Sequence, residues 1–76
     1  MVKELETVVL VRDFKEYGLV AGDVGAVVHV FRDGAAFEVE FVAADGITIA
    51  LLTLEADDIR SIRGKEILHV RELATI

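Results

Sequence analysis

The segment of residues 36–42, with the sequence AFEVEFV, constrains the fold more than any other part of the chain. Two phenylalanines and a valine alternate with Glu38 and Glu40, and an alternation of period two is that of a β-strand with one buried face. Asp-Gly pairs at 33–34 and 45–46 flank the segment, and this pair is favoured in tight hairpin turns. We therefore predict a strand whose aromatic side chains and valine lie in the core and whose glutamates face solvent.

Other segments rich in β-branched and apolar residues are too short for amphipathic helices, so they predict further strands. These strands are residues 7–13, 26–31, 47–54 and, as a short closing strand, 61–63. Gly18, Gly22 and Gly25 mark a loop before the second of them, since glycine tolerates turns and close chain approaches. Residues 55–60 are too short for a stable helix, and Asp57 and Asp58 suit the cap of a single 3₁₀ turn.

The C-terminal segment, residues 66–73 (EILHVREL), has two interpretations. A helix is one of them, but the β-branched content and the break at Gly64 favour a strand. Short strands with closely spaced turns and no long helix are typical of a small barrel or sandwich rather than of βαβ units. We predict one all-β domain over residues 1–76, an SH3-like barrel at 5–63 with an extension at 64–76 that adds an extra C-terminal strand.

The chain has 76 residues, of which 54% are hydrophobic. A domain of this size buries only about 60% of the surface that its unfolded chain exposes, so a large active-site cavity is not expected. No apolar run approaches the roughly 18 residues that span a bilayer. More apolar surface is present than one small core can hide, and this excess predicts self-association.

Fourteen acidic residues against eight basic ones give a formal net charge of −6. This charge repels phosphate backbones, so nucleic acid is not expected as a partner, and basic surfaces are favoured instead. The chain has no cysteine and therefore no disulfide or thiolate ligand, as is usual in a reducing cytosol. Its first residues, MVKELE, place two acids where a signal peptide needs basic and then apolar residues. We expect a cytoplasmic protein that does not bind membranes.

Six motifs occur along residues 5–62: GL at 18–19, GDVG at 22–25, FEVEF at 37–41, DG at 45–46, IALLTL at 49–54 and DIR at 58–60. In combination they resemble a family of small bacterial proteins of unknown function with an SH3-like β-barrel. The resemblance implies a stand-alone protein without established catalytic residues, encoded in some members near toxin–antitoxin genes. The family usually has a proline before the Gly-Leu pair, whereas this chain has FKEY at 14–17, so we expect a differently shaped loop there.

Few residues suit catalysis or metal binding. His29, His69, Glu38 and Glu40 would form a metal site only if their strands faced each other, and no close spacing of the histidines supports this. The glutamates would need a pocket that shifts a pKa to act as acid and base, and a solvated strand face explains them without one. Ser61 is the only serine, and the glycine-rich loop lacks the lysine and the helix of a P-loop. We predict no enzymatic activity, no metal and no cofactor.

The most specific prediction concerns the C-terminal tail, residues 64–76. His69 and Arg71 have the same spacing as Glu38 and Glu40, so the two pairs are predicted to face each other across a ladder, within one barrel or between chains. Because five strands already complete an SH3-like barrel, an extra strand is free to add to the sheet edge of a neighbour. We expect homo-oligomerisation through residues 64–76, with a strand packed on its own barrel as the alternative.

Two classes of function remain. The first is a non-catalytic interaction module that binds itself or a protein partner through the barrel loops and an exposed edge. Tyr17, Phe14 and Phe31 are its candidate contacts, although core packing explains Phe31 equally well. The second is an acidic antitoxin-like or inhibitor protein that covers a basic partner with carboxylates, namely Glu38, Glu40, Asp57 and Asp58.

Overall fold

The computed structural model describes residues 2–73 and shows one antiparallel sheet of five strands. The strands are β1 (Thr7–Leu10), β2 (Val24–Phe31), β3 (Ala36–Val42), β4 (Thr48–Glu55) and β5 (Ile59–Ser61). Short 3₁₀ turns lie between them at Lys15–Tyr17, Arg32–Gly34 and Ala56–Asp58. The predicted all-β class is confirmed, and so are both hairpins of the Asp-Gly pairs and the 3₁₀ turn after β4. Within residues 2–73 no helix has the length and apolar character that a membrane span needs.

The sheet curls because its two edge strands are neighbours in sequence. The strand order is β4-β3-β2-β1-β5, yet only Ala56–Asp58 connect β4 to β5. Such a connection spans at most about 14 Å, so the two edges of the sheet come together at this corner. Among the described residues no ladder of hydrogen bonds joins β4 to β5, so the barrel stays open along that seam.

All five strands contribute to one hydrophobic core. Phe37, Val39 and Phe41 of β3 are at most 3% exposed, as their alternation predicts, and Glu38 and Glu40 lie on the opposite, half-buried face. The same cluster contains Val8, Leu10, Leu19, Val27, Leu52, Leu54 and Ile59. Because side chains from both edge strands meet in this cluster, the curled sheet encloses the core.

Gly25 is required by the close packing of β2 on β3. A Cβ atom at this position would lie 2.7 Å from Cε2 of Phe41 and 2.8 Å from Cγ1 of Val39. These distances are well inside the optimal carbon–carbon separation of about 3.5–4.0 Å, so only glycine fits without movement of the core. Gly25, at the start of β2, is therefore a glycine because of close packing and not because of a turn conformation.

Asp58 fixes the corner between β4 and β5. Its Oδ2 atom accepts a hydrogen bond from the backbone N–H of Glu55 at 2.9 Å, and its Oδ1 atom accepts one from Nε of Arg12 at 2.8 Å. The Glu55 side chain accepts from the backbone N–H of Asp58 in return, which completes a capping box. The side chain of Asp58 is only 13% exposed. The N-cap residue is Glu55, so Asp58 contributes to the cap from the third position of the turn and not from its start, where the cap was predicted.

We expect Asp58→Asn to lower the free energy of unfolding by about 1 kcal/mol at neutral pH, because an amide has one acceptor oxygen and loses one of the two hydrogen bonds from Glu55 and Arg12. Burial raises the pKa of Asp58, but the hydrogen bonds from Glu55 and Arg12 outweigh burial and hold this pKa below its usual value. A carboxyl group whose pKa is lower in the folded state stabilises the fold above its unfolded pKa. This contribution is lost as the pH falls through the folded pKa.

Urea unfolding of Asp58→Asn from neutral pH to about pH 2 should therefore show a smaller loss of stability towards acid than the wild type. Asp57→Asn, in the same turn but exposed, is the matched control and should follow the wild type. Equal acid sensitivity of Asp58→Asn and the wild type would contradict the assignment.

The C-terminal tail is not a strand, so the extra strand predicted at residues 66–73 is wrong. The chain turns at Gly64 and Lys65, and the described tail then follows an irregular path. The strand that precedes the tail, β5, offers an edge of only three residues, and the tail runs past it to the turn before β2, where Arg71 binds Asp23. Ion pairs, rather than a ladder, attach the tail to the sheet.

The ladder predicted between the basic and acidic pairs within one chain is also wrong. Glu38 and Glu40 lie on β3, which β2 and β4 already flank. Arg71 instead forms an ion pair with Asp23, with Nη2 and Oδ2 2.6 Å apart. The two predicted pairs therefore lie in different parts of the barrel.

Candidate functional site

β4 is the long open edge of the sheet. It pairs with β3 along its length, and in the part of the chain that the structure describes no strand pairs with its other side. Residues 47–54, ITIALLTL, contain no charged residue and no proline, which are the residues that usually protect an edge from pairing. Ile47 is 63% exposed and Leu51 53% exposed. This edge is therefore a template to which another strand can add.

A groove runs beside this edge, between β4 and the first loop. Its volume is about 290 Å³, and it is lined by residues 51–54 together with Phe14, Glu16 and Tyr17. Phe14 packs against the core and carries the guanidinium of Arg12 4.0 Å above its ring. Tyr17, at the end of the 3₁₀ turn, stays 47% exposed. An exposed aromatic side chain next to a free edge is a typical interface anchor.

Three of the predicted interaction residues lie near this edge. Glu38 is opposite Thr53 in the β3–β4 ladder, and Glu40 accepts a hydrogen bond from Oγ1 of Thr48 at 2.7 Å. Tyr17 flanks the same strand across the groove. The acidic and aromatic members of the predicted set therefore lie on the two sides of β4.

The basic members lie at the opposite end of the sheet. His69 lines a small cavity under the tail beside Val9 of β1 and Val24 of β2. Arg71 reaches the turn before β2, where it binds Asp23. Neither residue is close to the β4 edge in the strand order, so these two predicted residues belong to a second site.

His29 and Phe31 form a small surface pair on β2. Their ring centroids are 4.5 Å apart in an edge-to-face arrangement, and Nδ1 of His29 lies 3.5 Å from Oε2 of Glu4. Phe31 is partly buried, so it is a packing partner of the histidine as much as a contact residue. Within residues 2–73 no group of three His, Asp or Glu side chains is arranged to hold a metal ion.

Asp23 was not among the predicted site residues, although it is the best-connected carboxylate at the β1–β2 end. Its Oδ1 atom accepts from Nε of Arg71 at 2.8 Å, and its Oδ2 atom accepts from Nη2 of Arg71 and from the backbone N–H of Val20. Burial raises the pKa of Asp23, but these hydrogen bonds lower it below its usual value overall. Asp23 and Arg71 are 48 residues apart in the sequence, so no local sequence pattern predicts that they form a pair.

These features define a small all-β domain made of one curled sheet with an unprotected edge. The model of a protein family described as a domain of unknown function (DUF4926) matches residues 4–61, and the chain belongs to this family. The matched region contains all five strands, the β4 edge and Tyr17, and it ends before the tail. The resemblance to a family of unknown function is confirmed at that level. No curated protein and no solved structure matches the chain.

Proposed function

We propose that this domain is a non-catalytic protein-interaction module that self-associates by pairing the free edge of β4 with the same edge of a second copy. The observation that carries the proposal is the uncharged edge at residues 47–54, which lies exposed beside Tyr17. The curled five-stranded sheet agrees with the SH3-like barrel that the motifs imply. The proposal also includes a bacterial origin, which the resemblance implies, and a cytoplasmic location, which the lack of cysteine favours.

Two-fold antiparallel pairing of two β4 strands meets no electrostatic obstacle within the edge itself. Residues 47–54 carry no charge, and with the two-fold axis at any residue from 49 to 52, Leu51 lies opposite residue 47, 49, 51 or 53 of the second copy. The exposed Leu51 is then covered by apolar or hydroxyl side chains of the second copy. Such cross-strand pairs are the unit that stabilises a sheet.

The net charge of −6 does not prevent this contact. Glu38 and Glu40 lie on β3, so the glutamates of two paired copies are separated by three strand spacings, about 14 Å. This distance exceeds the Debye length of about 8 Å at physiological ionic strength, so their repulsion is largely screened. The dimer should therefore be weaker at low salt than at physiological salt.

The test is the molar mass in solution, measured by light scattering over a range of protein concentrations. We expect the wild type to reach the mass of a dimer and Leu51→Lys to stay a monomer, since a lysine on an edge strand blocks strand pairing. Val28→Lys is the matched control. Val28 is an exposed aliphatic residue, 40% exposed, on the internal strand β2. The Val28→Lys variant adds the same charge as Leu51→Lys and should leave the dimer intact.

Circular dichroism spectra of both variants should match that of the wild type, which separates a lost interface from a lost fold. A wild type that stays monomeric at millimolar concentration would contradict self-association. A dimer that survives Leu51→Lys but disappears on deletion of residues 65–76 would move the contact from β4 to the tail.

The charge distribution favours a second candidate, an acidic antitoxin-like or inhibitor protein of a basic partner. Residues 1–61 hold twelve acidic and five basic residues, a net charge of −7, whereas residues 62–76 hold two acidic and three basic ones. Asp58 is committed to Arg12 and the capping box, which leaves Glu38, Glu40 and Asp57 for a partner. Steep loss of partner binding with added salt would identify this function.

A further inference from the structure

The guanidinium of Arg71 fills a site formed by the turn before β2. Nε and Nη2 bind the two oxygens of Asp23 at 2.8 and 2.6 Å, and Nη2 also donates to the carbonyl of Gly18 at 2.9 Å. A planar guanidinium matches this fork of acceptors, whereas a lysine ammonium does not. The arrangement is therefore a recognition site for arginine and not only a contact between opposite charges.

The acceptors of this site are held in place by hydrogen bonds that do not involve the tail. The Val20 N–H donates to Oδ2 of Asp23 at 2.9 Å, and the Asp23 N–H donates to the Val20 carbonyl at 3.0 Å. The Leu10 N–H donates to the Asp23 carbonyl at 2.9 Å, which ties the turn to β1. Gly18 has a φ of 73°, a left-handed conformation that suits glycine. The site is thus preorganised by the barrel.

The tail that supplies Arg71 is attached mainly at two charged points. Besides Arg71 and Asp23, Glu66 accepts hydrogen bonds from both terminal nitrogens of Arg60. Ile67 and Val70, which lie between these points, are 91% and 90% exposed, and a cavity of about 230 Å³ remains under the tail. Because the tail buries so little apolar surface, it can be displaced without opening the core.

The site and its present occupant also belong to different parts of the chain. Gly18 and Asp23 lie within residues 4–61, the part that matches the family model, whereas Arg71 lies beyond it. The acceptors are therefore part of the domain, and the arginine comes from an appended segment.

We propose that Asp23 and the Gly18 carbonyl form an arginine-binding site that Arg71 fills within the chain and that an arginine of an extended peptide segment fills when the tail is displaced. Val9 and Val24, which line the adjoining cavity, receive apolar residues that precede this arginine in the segment. The segment is the tail of a second copy of this chain, because the structure shows that this tail fits the site. Binding of an arginine from another protein is the alternative outcome of the test. This site is separate from the β4 edge and does not rest on self-association there.

The test is a complementation between two full-length variants, observed by NMR. Arg71→Ala leaves the site empty, and Asp23→Asn frees the arginine of its own tail. We expect unlabelled Asp23→Asn chain, added to ¹⁵N-labelled Arg71→Ala chain, to move the amide signals of Gly18, Val20 and Asp23 back towards their wild-type positions. The Asp23→Asn/Arg71→Ala double variant is the matched control and should leave these signals unchanged.

A synthetic peptide of residues 65–73 tests the second source of the arginine. It should move the same signals in the Arg71→Ala chain, and the peptide with lysine in place of Arg71 should bind about tenfold more weakly, because it loses a charged hydrogen bond. In the wild type the peptide should bind much more weakly, since the tethered Arg71 competes at an effective millimolar concentration.

Binding of the peptide alone would identify free peptide segments of other proteins as the source. Recovery with the Asp23→Asn chain alone would identify the second copy. No movement of the three signals by either probe at millimolar concentration would overturn the site. Repeating the titration with Leu51→Lys added to both variants keeps the result independent of pairing at β4.

Discussion

Phe41→Ala should lower the free energy of unfolding by about 3–5 kcal/mol, the usual cost of removing a buried phenylalanine side chain. Phe41 is 3% exposed on the internal strand β3, and its ring lies against the backbone of Gly25 on β2. Its removal leaves a cavity that the two hairpins cannot close by rearrangement of one side chain. A domain of this size has a total stability of only about 4–11 kcal/mol, so this single substitution should remove at least about a quarter of it.

Urea unfolding followed by circular dichroism measures this loss. Val42→Ala is the control, because the neighbouring residue on the same strand is 47% exposed and should cost well under about 1 kcal/mol. Similar destabilisation by the two variants would mean that the core is not where the strand alternation places it.

Gly25→Ala should lower the free energy of unfolding by about 1–3 kcal/mol, the usual cost of overpacking a core. The added methyl group would lie under 3.0 Å from atoms of both Phe41 and Val39, so both side chains or the backbone of β2 must shift. Phe41→Leu in the same chain removes the ring atoms that clash. The double variant should therefore be more stable than the sum of the two single losses predicts, and a double-mutant cycle measures this coupling.

Gly64→Ala is the control for the glycine variant. A Cβ at Gly64 meets no atom within 4 Å, and its φ is not in the left-handed region, so this variant should match the wild type in stability. An equally small effect of Gly25→Ala would contradict the close approach of β2 and β3.

The fold was predictable where side-chain alternation and turn residues agree. The alternation around Glu38 and Glu40 placed β3 and its buried face correctly, and the Asp-Gly pairs placed both hairpins. The turn after β4 followed from its length and its acids. These features depend on residues close in sequence, and local propensity and period are sufficient to find them.

The features that escaped prediction depend on residues far apart in sequence. A β-bulge at Val28 shifts the register between β2 and β3, so that Val27 and Val30, three residues apart, are opposite the core residues Val39 and Phe37. No sequence period of two contains such a step. The tail has strand-like composition, but the adjacent edge strand β5 has only three residues, and composition does not report how much edge is available for pairing.

The candidate site was predictable only in part for the same reason. Tyr17 and the two glutamates were chosen by residue type, and the structure places them near the β4 edge. That β4 is the edge follows from strand order, which depends on the pairing of β1 with β5 across about fifty residues of chain. The arginine site needs the same long-range information, because Arg71 and Asp23 meet only after the barrel has curled.

The pairing of β1 with β5 also has a consequence for how the chain is made. Val8 pairs with Ser61 and Leu10 with Ile59, so the first strand to leave the ribosome receives its second neighbour only after the last one has emerged. The hairpins β2–β3 and β3–β4 form from contacts close in sequence, which are fast, whereas closure of the loop between β1 and β5 is slow. During synthesis, β1 therefore exposes one unpaired side. For that interval the second edge of the sheet is the apolar strand β1 instead of the three-residue strand β5, and association between nascent chains is most favourable then.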